Sequence, residues 1–201
     1  MKLYFSPGAC SLSPHIVLRE AGLDVTLEKV DLRSKKTASG ADYLSINPKG
    51  YVPALDTGDG VLTEGPAIVQ FVADKAPGKA LAPAAGTMAR YRMIEWLNFI
   101  STEVHKNYSP LFNPASSDDA KNNARDNLAK RYAYIEGMLA GRDYLLGDQY
   151  SVADAYLFVV TNWARPVKLD LSAYPNLQAF HARVGARPAV QEALRAEGLI
   201  D

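Results

Sequence analysis

Hydrophobic and polar positions follow two different patterns along the chain, and the change between them predicts two kinds of structure. In the first 80 residues, "KLYF" is typical of a short strand, and "PGACSLSPHIVLREAG" predicts a helix that begins near Cys10 or Ser11 and ends at Gly22. "VTLEKVDL" alternates as a half-buried strand does, and "VPALDTGDGVLTEG" indicates a hairpin. With a short irregular helix in "GADYLSINPKG" and a helix carrying Pro66 at its first position, the predicted order is β-α-β-α-β-β-α.

The second part of the chain has helical periodicity throughout. It follows residues 76–87, "APGKALAPAAGT", which are typical of a linker. Apolar side chains then recur at helical spacing, namely Met93, Leu97, Ile100 and Val104, and later Leu128, Tyr132, Ile135 and Leu139. "SVADAYLFVVTNWA" is apolar almost all round, which predicts a helix at the centre of a core, and two shorter helices follow it. We therefore predict an α/β domain over residues 1–80 and an all-α domain over residues 87–201.

Composition narrows the classes of function. Among 201 residues, 22 Lys and Arg balance 22 Asp and Glu, so no net charge attracts nucleic acid or an anionic membrane. No apolar run approaches the ~18 residues of a membrane span, and "MKLYFSPG" is too short for a signal-peptide core. With a single cysteine, no internal disulfide forms. We expect a soluble cytoplasmic protein.

Cys10 is the only cysteine, and it lies where a strand turns into a helix. A helix N-terminus favours the thiolate, which is the nucleophilic form of cysteine. A free cysteine in a core is the alternative, since this residue type is often buried as a small hydrophobe. Without a C-x-x-C motif, a dithiol oxidoreductase is disfavoured. A thiolate that pairs with a second, soluble thiol stays open.

Two further motifs flank the predicted hairpin. Val52-Pro53 in "GYVPAL" is either an ordinary strand-start proline or a cis bond that turns a backbone edge toward a ligand. In "LTEGPAI", Glu64 could receive an ammonium group while the helix start at Gly65 offers N–H groups to a carboxylate. That pair suits the two α-substituents of an amino acid. A glutamate acting as a simple helix cap is the alternative.

A polar stripe follows the linker. Asn98, Thr102 and His105 recur at i, i+4 and i+7, flanked by Trp96 and Phe99. The stripe is either a solvated helix face or one wall of a cleft. In a cleft, His105 and its neighbour Lys106 would add positive charge close to a thiolate.

Five segments in register resemble a bacterial beta-class glutathione S-transferase: "PGACSLSPHI", "NPKGYVPAL", "LTEGPAIVQFVAD", "EWLNFISTEVHK" and "SVADAYLFVV". The resemblance covers the whole chain. Through "SKKTASG" and "SPLFNPASSD" it is closest to members associated with the catabolism of biphenyl and other aromatic compounds. It implies the glutathione S-transferase fold, a thioredoxin-like N-terminal domain and an all-helical C-terminal domain, in a homodimer that serves detoxification or catabolism.

The resemblance also assigns roles to individual residues. Cys10 and His105 are the expected catalytic residues, with Cys10 facing the glutathione sulfur and able to form a mixed disulfide with it. Val52-Pro53 is expected to be cis. The expected glutathione-binding residues are Ser11, Lys35, Tyr51, Val52, Pro53, Glu64, Gly65, Asn98, Thr102, Glu103 and Lys106. Of these, some of Asn98, Thr102 and Glu103 would reach the partner subunit's site.

Tyr4, Tyr108, Phe112 and Trp163 are the expected electrophile pocket, because aromatic side chains suit an apolar second substrate. Tyr4 and Ser11 are also candidates for the hydroxyl that activates glutathione. Ser151 and Asp154 match a capping box and are expected to serve folding.

Two positions depart from the family pattern. Many transferases carry a serine where Gly65 stands, so a hydroxyl donor to the glutamyl carboxylate is missing here. Tyr51 stands where relatives often carry another polar side chain.

Three hypotheses of function follow. The first is conjugation of the glutathione thiolate to small hydrophobic, including halogenated aromatic, electrophiles. The second uses Cys10 as the nucleophile in thiol transfer or reductive dehalogenation through a Cys10–glutathione disulfide. The third is a non-enzymatic binding protein on the same scaffold. Glutathione is a co-substrate in the first two, and we expect no prosthetic group. We also expect no metal, since three scattered histidines, including the unremarkable His15 and His181, have no ligand spacing.

Overall fold

The computed structural model describes residues 1–201, which divide into two compact units. The first unit contains Met1–Ala82 and Arg187–Asp201, and the second contains Pro83–Ala186. The boundary after Ala82 falls inside the predicted linker, residues 76–87. The predicted second domain, 87–201, was too long at its end. Residues 187–201 belong to the first unit, because the last helix packs against the first one and buries Val190 and Ala193 there.

A five-stranded mixed sheet forms the centre of the first unit. Its order is β3-β2-β1-β4-β5, with β1 parallel to β2 and antiparallel to β4. At its middle, Leu3 lies opposite Leu27 on one side and Leu55 on the other. The strands are β1 Lys2–Phe5, β2 Thr26–Asp31, β3 Lys36–Thr37, β4 Ala54–Asp56 and β5 Val61–Thr63. Only β3 was not predicted, because two residues are too few to show an alternating pattern.

Three helices complete the first unit: α1 Leu12–Ala21, α2 Gly65–Lys75 and α8 Pro188–Ala196. The predicted stop of α1 is confirmed, since Gly22 takes the left-handed conformation, with φ 66°, that favours glycine at a helix end. Pro66 lies in the first turn of α2. A short 3-10 helix, Tyr43–Ser45, contributes Tyr43 to a buried cluster with Tyr4, Val30, Val52 and Ala54.

The second unit is entirely helical. One continuous helical stretch contains α3 Met88–Phe99, a π-helical segment Ile100–His105, a 3-10 turn Lys106–Tyr108 and α4 Ser109–Phe112. It is followed by α5 Asp118–Leu139, α6 Val152–Asn162 and α7 Pro175–Gly185. The prediction of a central apolar helix is confirmed, because α6 is buried from Val152 to Thr161. No helix of the chain combines the length and hydropathy needed to cross a bilayer.

The start of α6 has the predicted capping box. The Asp154 carboxylate accepts the Ser151 N–H at 2.7 Å, the Ser151 hydroxyl at 2.8 Å and the Leu145 N–H at 2.8 Å. Burial nevertheless raises the pKa of Asp154 to about 6. These bonds anchor the loop before α6 to its first turn, so the predicted folding role of Ser151 and Asp154 is supported.

Candidate active site

Cys10 lies half-buried in the turn between β1 and α1. The next residue, Ser11, closes this turn: its hydroxyl accepts the Ser6 N–H at 3.1 Å and donates to the Ser6 carbonyl at 3.2 Å. Ser11 is fully buried. Its side chain is therefore shielded and engaged in bracing the turn that carries Cys10, and the contact of Ser11 with glutathione stays a prediction.

A buried pair of hydrogen-bonded side chains, His15 and Glu197, braces the same turn from the C-terminal segment. Glu197 accepts the Gly8 N–H at 2.9 Å with one carboxylate oxygen and contacts His15 Nδ1 at 2.9 Å with the other. The His15 and Glu197 side chains are both 0 % exposed. The expectation that His15 is unremarkable was wrong. Periodicity placed it correctly on an apolar helix face but could not show a carboxylate arriving from 182 residues away.

The predicted cis bond between Val52 and Pro53 is present. The Cys10 thiol donates a hydrogen bond to the Val52 carbonyl, with Sγ and O 3.2 Å apart. The alternative for Cys10, a small hydrophobe in the core, does not fit a partly exposed thiol that donates to a backbone carbonyl. The structure thus brings together the two motifs that sequence reasoning had singled out independently.

Two polar side chains hold the backbone just before this cis bond. The Tyr51 carbonyl accepts the Tyr43 hydroxyl at 2.7 Å and the Asn47 side-chain amide at 2.7 Å. Burial raises the pKa of Tyr43, which keeps this phenol protonated as a donor. The Tyr51 side chain itself is 69 % exposed. Tyr51 therefore enters the site through its main chain.

Glu64 stands at the start of α2 in an unusual conformation. Its φ is 70°, a region that non-glycine residues rarely occupy and that clusters at functional sites. Its carboxylate pairs with the Lys49 ammonium, and both side chains are exposed. The Glu64 carboxylate, the predicted acceptor for a ligand's ammonium, is therefore exposed and paired with an ammonium group of the same chain.

Lys35 also has a positive φ, 57°, and its ammonium donates to the Gly50 carbonyl at 2.9 Å. Gly50 itself, at φ 66°, is tightly surrounded: an added Cβ would lie 3.2 Å from a Leu44 methyl group. The Lys35 ammonium thus reaches the segment that leads into Tyr51 and Val52.

The predicted polar stripe of Asn98, Thr102 and His105 is broken by the π-helical segment Ile100–His105. In a π-helix the hydrogen bonds run from i to i+5, so side chains fall out of phase with the α-helical period. Asn98 and Thr102 are exposed, and the Thr102 hydroxyl donates to the Asn98 carbonyl at 3.0 Å. His105 turns away from them toward Tyr156 and Trp163.

The surroundings of His105 are mostly apolar. Its Nδ1 lies 2.6 Å from the Tyr156 hydroxyl, and its ring meets Trp163 edge to face, with centroids 4.7 Å apart. Burial, with a smaller contribution from the neighbouring Lys106 charge, lowers the pKa of His105 to about 4. The expectation that His105 adds positive charge is therefore wrong at neutral pH. Lys106 is exposed, and its predicted role as a positive charge stays a prediction.

Three of the four predicted pocket residues form one aromatic cluster in the second unit. Trp163 meets Tyr108 and Phe112 edge to face, at centroid distances of 5.6 and 5.8 Å. Phe112 is 49 % exposed, whereas Tyr108 is buried. Tyr4 was expected with them, but its ring packs in the first unit's core, 5.7 Å from Tyr43. Because residues alternate along β1, Tyr4 faces the buried cluster.

The remaining predicted ligand, Glu103, forms an ion pair with Arg131 of α5 at 2.7 Å. Both side chains are about two-fifths exposed, at 40 % and 36 %. Glu103 thus already has a cationic partner at the surface of its unit, and its contact with glutathione stays a prediction.

Comparison with known proteins decides the family. Residues 1–74 match the model of the glutathione S-transferase N-terminal domain, and residues 99–188 match that of the C-terminal domain. The sequence is 65 % identical to that of BphK, a bacterial glutathione S-transferase whose structure was solved as a ternary complex. The two structures superpose with a TM-score of 0.97, covering 98 % of this chain and all of BphK. The chain belongs to the glutathione S-transferase family.

Two further solved structures refine the assignment of this transferase. The beta-class glutathione S-transferase of Sphingomonas chungbukensis is 48 % identical, with a TM-score of 0.96 over the whole of both chains. A sphingomonad glutathione S-transferase complexed with glutathione is 49 % identical, with the same TM-score and full coverage of both chains. The predictions of a beta-class enzyme and of a thioredoxin-like domain followed by a helical one are confirmed.

Sequence reasoning missed several residues that shape the transferase's site. Tyr43 and Asn47 fix the cis-proline backbone, Lys49 neutralises Glu64, and Tyr156 holds His105. A signal existed for Asn47, because an asparagine before a proline in "NPKG" is a turn residue whose amide bonds the backbone nearby. Tyr156 had a weaker signal, as a polar tip on an otherwise apolar helix that needs a partner.

Proposed function

We propose that this transferase binds glutathione along the Cys10–Val52 edge and conjugates the glutathione thiolate to small apolar electrophiles. The observation that carries the proposal is the Cys10 thiol 3.2 Å from the Val52 carbonyl, beside the cis Val52-Pro53 bond. The Val52 backbone can pair with the main chain of the tripeptide's cysteinyl residue. Its thiol then lies next to Cys10. The sphingomonad relative that is complexed with glutathione has the same fold over its entire length, which supports this assignment.

The charged ends of glutathione fit the remaining groups of the first unit. The glutamyl ammonium can replace Lys49 on Glu64, whose exposed carboxylate is held at the start of α2 by its φ of 70°. The glutamyl carboxylate can accept the Gly65 N–H at the start of α2, where Pro66 has no N–H and those of Ala67 and Ile68 bond the Glu64 carbonyl. Lys35, beside Gly50, suits the glycyl carboxylate. Glu64 and Lys35 thus offer charges of opposite sign to two of the three charged groups, and the third has a backbone donor.

The second substrate would bind at the aromatic cluster of Tyr108, Phe112 and Trp163. Edge-to-face rings with an exposed Phe112 offer an apolar surface without buried charge. His105, as a neutral ring beside Trp163, would contribute a hydrogen bond to the reacting groups. Asn98, Thr102 and Lys106, all exposed, stay candidates for contacts with glutathione.

Stabilising the glutathione thiolate is the main chemical task in conjugation. Each unit by which the site lowers the thiol pKa requires about 1.4 kcal/mol of preferential interaction with the anion. The positive end of the α1 dipole would be one source of that stabilisation, and the Lys106 ammonium is the second candidate.

A second candidate function is thiol transfer, which the partly exposed position of Cys10 favours. The Cys10 thiolate would attack the glutathionyl sulfur of a mixed disulfide between glutathione and another thiol, break its S–S bond, form a Cys10–glutathione disulfide and release the other thiol as its thiolate. A free glutathione thiolate would then attack this Cys10–glutathione disulfide, regenerate the Cys10 thiolate and form glutathione disulfide. Reductive dehalogenation would pass through the same mixed disulfide.

Steady-state kinetics of the Cys10→Ala variant separate the two chemistries. Conjugation is measured with glutathione and chlorodinitrobenzene, and thiol transfer with glutathione and a small mixed disulfide. If conjugation is the function, Cys10→Ala retains it with a similar kcat and loses only thiol transfer. No conjugation by the wild-type protein with any activated halogenoarene would overturn the proposal and favour a binding protein.

We also propose a homodimer, built on a groove of about 890 Å³ in the second unit. Trp96, Phe99 and Tyr134 line it with their rings 5.3 to 5.9 Å apart, and Tyr134 is 51 % exposed. Arg92, Glu95 and Arg131 at the groove give it both signs of charge. A two-fold contact uses the same patch twice and so needs such self-complementarity. A second copy of this chain is therefore its proposed occupant.

We propose a cytoplasmic location, because exchange of the Cys10 thiol with glutathione requires a reducing thiol pool. A role in the catabolism or detoxification of aromatic compounds is consistent with the aromatic cluster and with the segments "SKKTASG" and "SPLFNPASSD".

A further inference from the structure

His105 and Tyr156 form one of the shortest hydrogen bonds in the chain, with 2.6 Å between the imidazole Nδ1 and the phenol oxygen. His105 ends the π-helical segment Ile100–His105, and Tyr156 projects from the middle of the buried helix α6. Tyr156 is 3 % exposed, whereas His105 is partly accessible. A buried, rigid phenol thus meets the one partly exposed histidine that the proposed function uses.

The direction of this bond follows from the chemistry of the two groups. With its pKa lowered to about 4, the His105 ring is neutral at pH 7 and carries one proton, on either Nδ1 or Nε2. A phenol, with an ordinary pKa near 10, is a much stronger acid than a neutral imidazole N–H. The unprotonated imidazole nitrogen is also a better acceptor than a phenol oxygen. The favoured arrangement is therefore O–H···N, from Tyr156 to Nδ1.

The ring is also held in orientation. Trp163 packs against the imidazole at 74°, with centroids 4.7 Å apart, and the Tyr156 ring lies at 81° with centroids 6.0 Å apart. A flip of the imidazole that exchanged its two nitrogens would have to move past these rings. The ring orientation therefore keeps Nδ1 as the nitrogen that faces Tyr156, and the hydrogen bond to Nδ1 then sets the tautomer.

We propose that Tyr156 is a positioning residue: its hydroxyl donates to Nδ1 of His105 and holds the imidazole as the tautomer with its proton on Nε2. In that tautomer His105 presents an N–H donor, which can stabilise a thiolate or a developing oxyanion. It cannot act as a general base through Nε2. Its use in the reaction rests on the proposed function, whereas the tautomer itself does not.

Nitrogen-15 NMR of the full chain, with labelled imidazoles, tests the proposal without glutathione. Two-bond proton–nitrogen correlations distinguish the two tautomers, because the protonated nitrogen resonates far upfield of the other. With only three histidines in the chain, the His105 signals are assigned by their loss in His105→Gln. We expect the Nε2–H pattern for wild-type His105 at pH 7. An Nδ1–H pattern would overturn the proposal.

The Tyr156→Phe variant removes only the hydroxyl. We expect its His105 signals to shift toward averaged positions, as the ring loses the donor to Nδ1 and samples both tautomers. The matched control is Tyr132→Phe, which removes another buried phenol hydroxyl, one bonded to Tyr108 at 2.8 Å and not to His105. It should keep the wild-type His105 pattern. An unchanged Nε2–H pattern in Tyr156→Phe would also overturn the proposal, and the wild-type spectrum decides the matter should this variant fail to fold.

A kinetic readout distinguishes this proposal from the proposed function. If His105 is a donor to the reacting thiolate, Tyr156→Phe lowers kcat for conjugation several-fold and leaves KM for glutathione near the wild-type value. Absence of conjugation in the wild-type protein, together with a fixed Nε2–H tautomer, would contradict the proposed function and leave the tautomer assignment intact.

Discussion

The Cys10 thiol donates a hydrogen bond to the carbonyl oxygen of Val52, 42 residues further along the chain, with a sulfur–oxygen distance of 3.2 Å. Only a protonated thiol has this hydrogen to donate, so the bond stabilises the thiol form of Cys10. A bound glutathione whose main chain donates to the Val52 carbonyl would compete with the Cys10 thiol for this acceptor. If glutathione binds at Val52, this contact would thus link occupancy of the site to the reactivity of Cys10.

Restoring a hydroxyl at Gly65 should strengthen glutathione binding. A Cβ added there would meet only Pro53 Cγ, at 3.9 Å, so Gly65→Ser fits without strain. One added hydrogen bond contributes about 1 kcal/mol, which corresponds to roughly fivefold tighter binding. Isothermal titration calorimetry with glutathione measures the change. Gly78→Ser, also in open space in the first unit, is the control and should leave the Kd unchanged. An unchanged Kd in Gly65→Ser would contradict the proposed position of the glutamyl end.

His105 should make the fold sensitive to acid. Its pKa is lowered from 6.5 to about 4, so the unfolded chain binds a proton in that window that the folded chain does not. The stability contributed by the neutral ring is thus complete above pH 6.5 and is lost as the pH falls through about 4. Urea denaturation at pH 7 and pH 4.5 should show a smaller loss of unfolding free energy in His105→Gln, by on the order of 1–2 kcal/mol. Parallel losses in both proteins would mean that His105 is not buried as a neutral ring.

The buried pair of His15 and Glu197 should be important for stability. Each hydrogen bond to a buried carboxylate contributes about 1.5–3 kcal/mol, and removing the Glu197 carboxylate takes its acceptor away from His15. Glu197→Ala also removes the acceptor of the Gly8 N–H. Its unfolding free energy should fall by about 3 kcal/mol or more. Glu192→Ala is the matched control, because Glu192 is 55 % exposed and only 3.9 Å from Arg19, so its effect should stay within about 0.5 kcal/mol. Equal effects of the two variants would refute the role assigned to Glu197.

The aromatic groove predicts how the dimer can be broken. Tyr134→Glu places a charge among the rings of Trp96 and Phe99, where a desolvated carboxylate in an interface costs at least about 2 kcal/mol, or roughly 30-fold in dimer affinity. Analytical ultracentrifugation should show dimers of the wild type and monomers of the variant. Tyr91→Glu, on an equally exposed tyrosine of α3 outside the groove, should stay dimeric. A wild-type monomer, or a Tyr134→Glu dimer, would argue against a second copy in the groove.

Much of the fold could be predicted from the sequence, because its signals are local. Gly22 ends α1, Pro66 lies in the first turn of α2, and the apolar run of α6 is buried as its all-round pattern indicates. The site was harder, because its decisive contacts join distant residues. The Tyr51 main-chain carbonyl, for example, accepts hydrogen bonds from the Asn47 amide and the Tyr43 hydroxyl. Every residue has a main-chain carbonyl, so the sequence does not indicate which one will be the acceptor.

Two errors have a common physical cause. The predicted stripe of Asn98, Thr102 and His105 assumed the α-helical period. The π-helical segment has a different hydrogen-bond spacing, which rotates His105 out of line with the other two, and the side-chain sequence does not indicate this spacing. The end of the second domain was misplaced because α8 is amphipathic whichever core it joins. Only the structure shows that α8 packs against α1.

Intact-mass analysis after incubation with glutathione disulfide at neutral pH tests the central claim most directly. Because Cys10 is the only cysteine in the chain, a disulfide adduct reports on that residue alone. We predict one glutathione adduct per chain, which reductant reverses and which S-methylglutathione, lacking a free thiol, slows by occupying the site. No adduct, or an adduct whose rate of formation S-methylglutathione does not change, would contradict a glutathione site at Cys10.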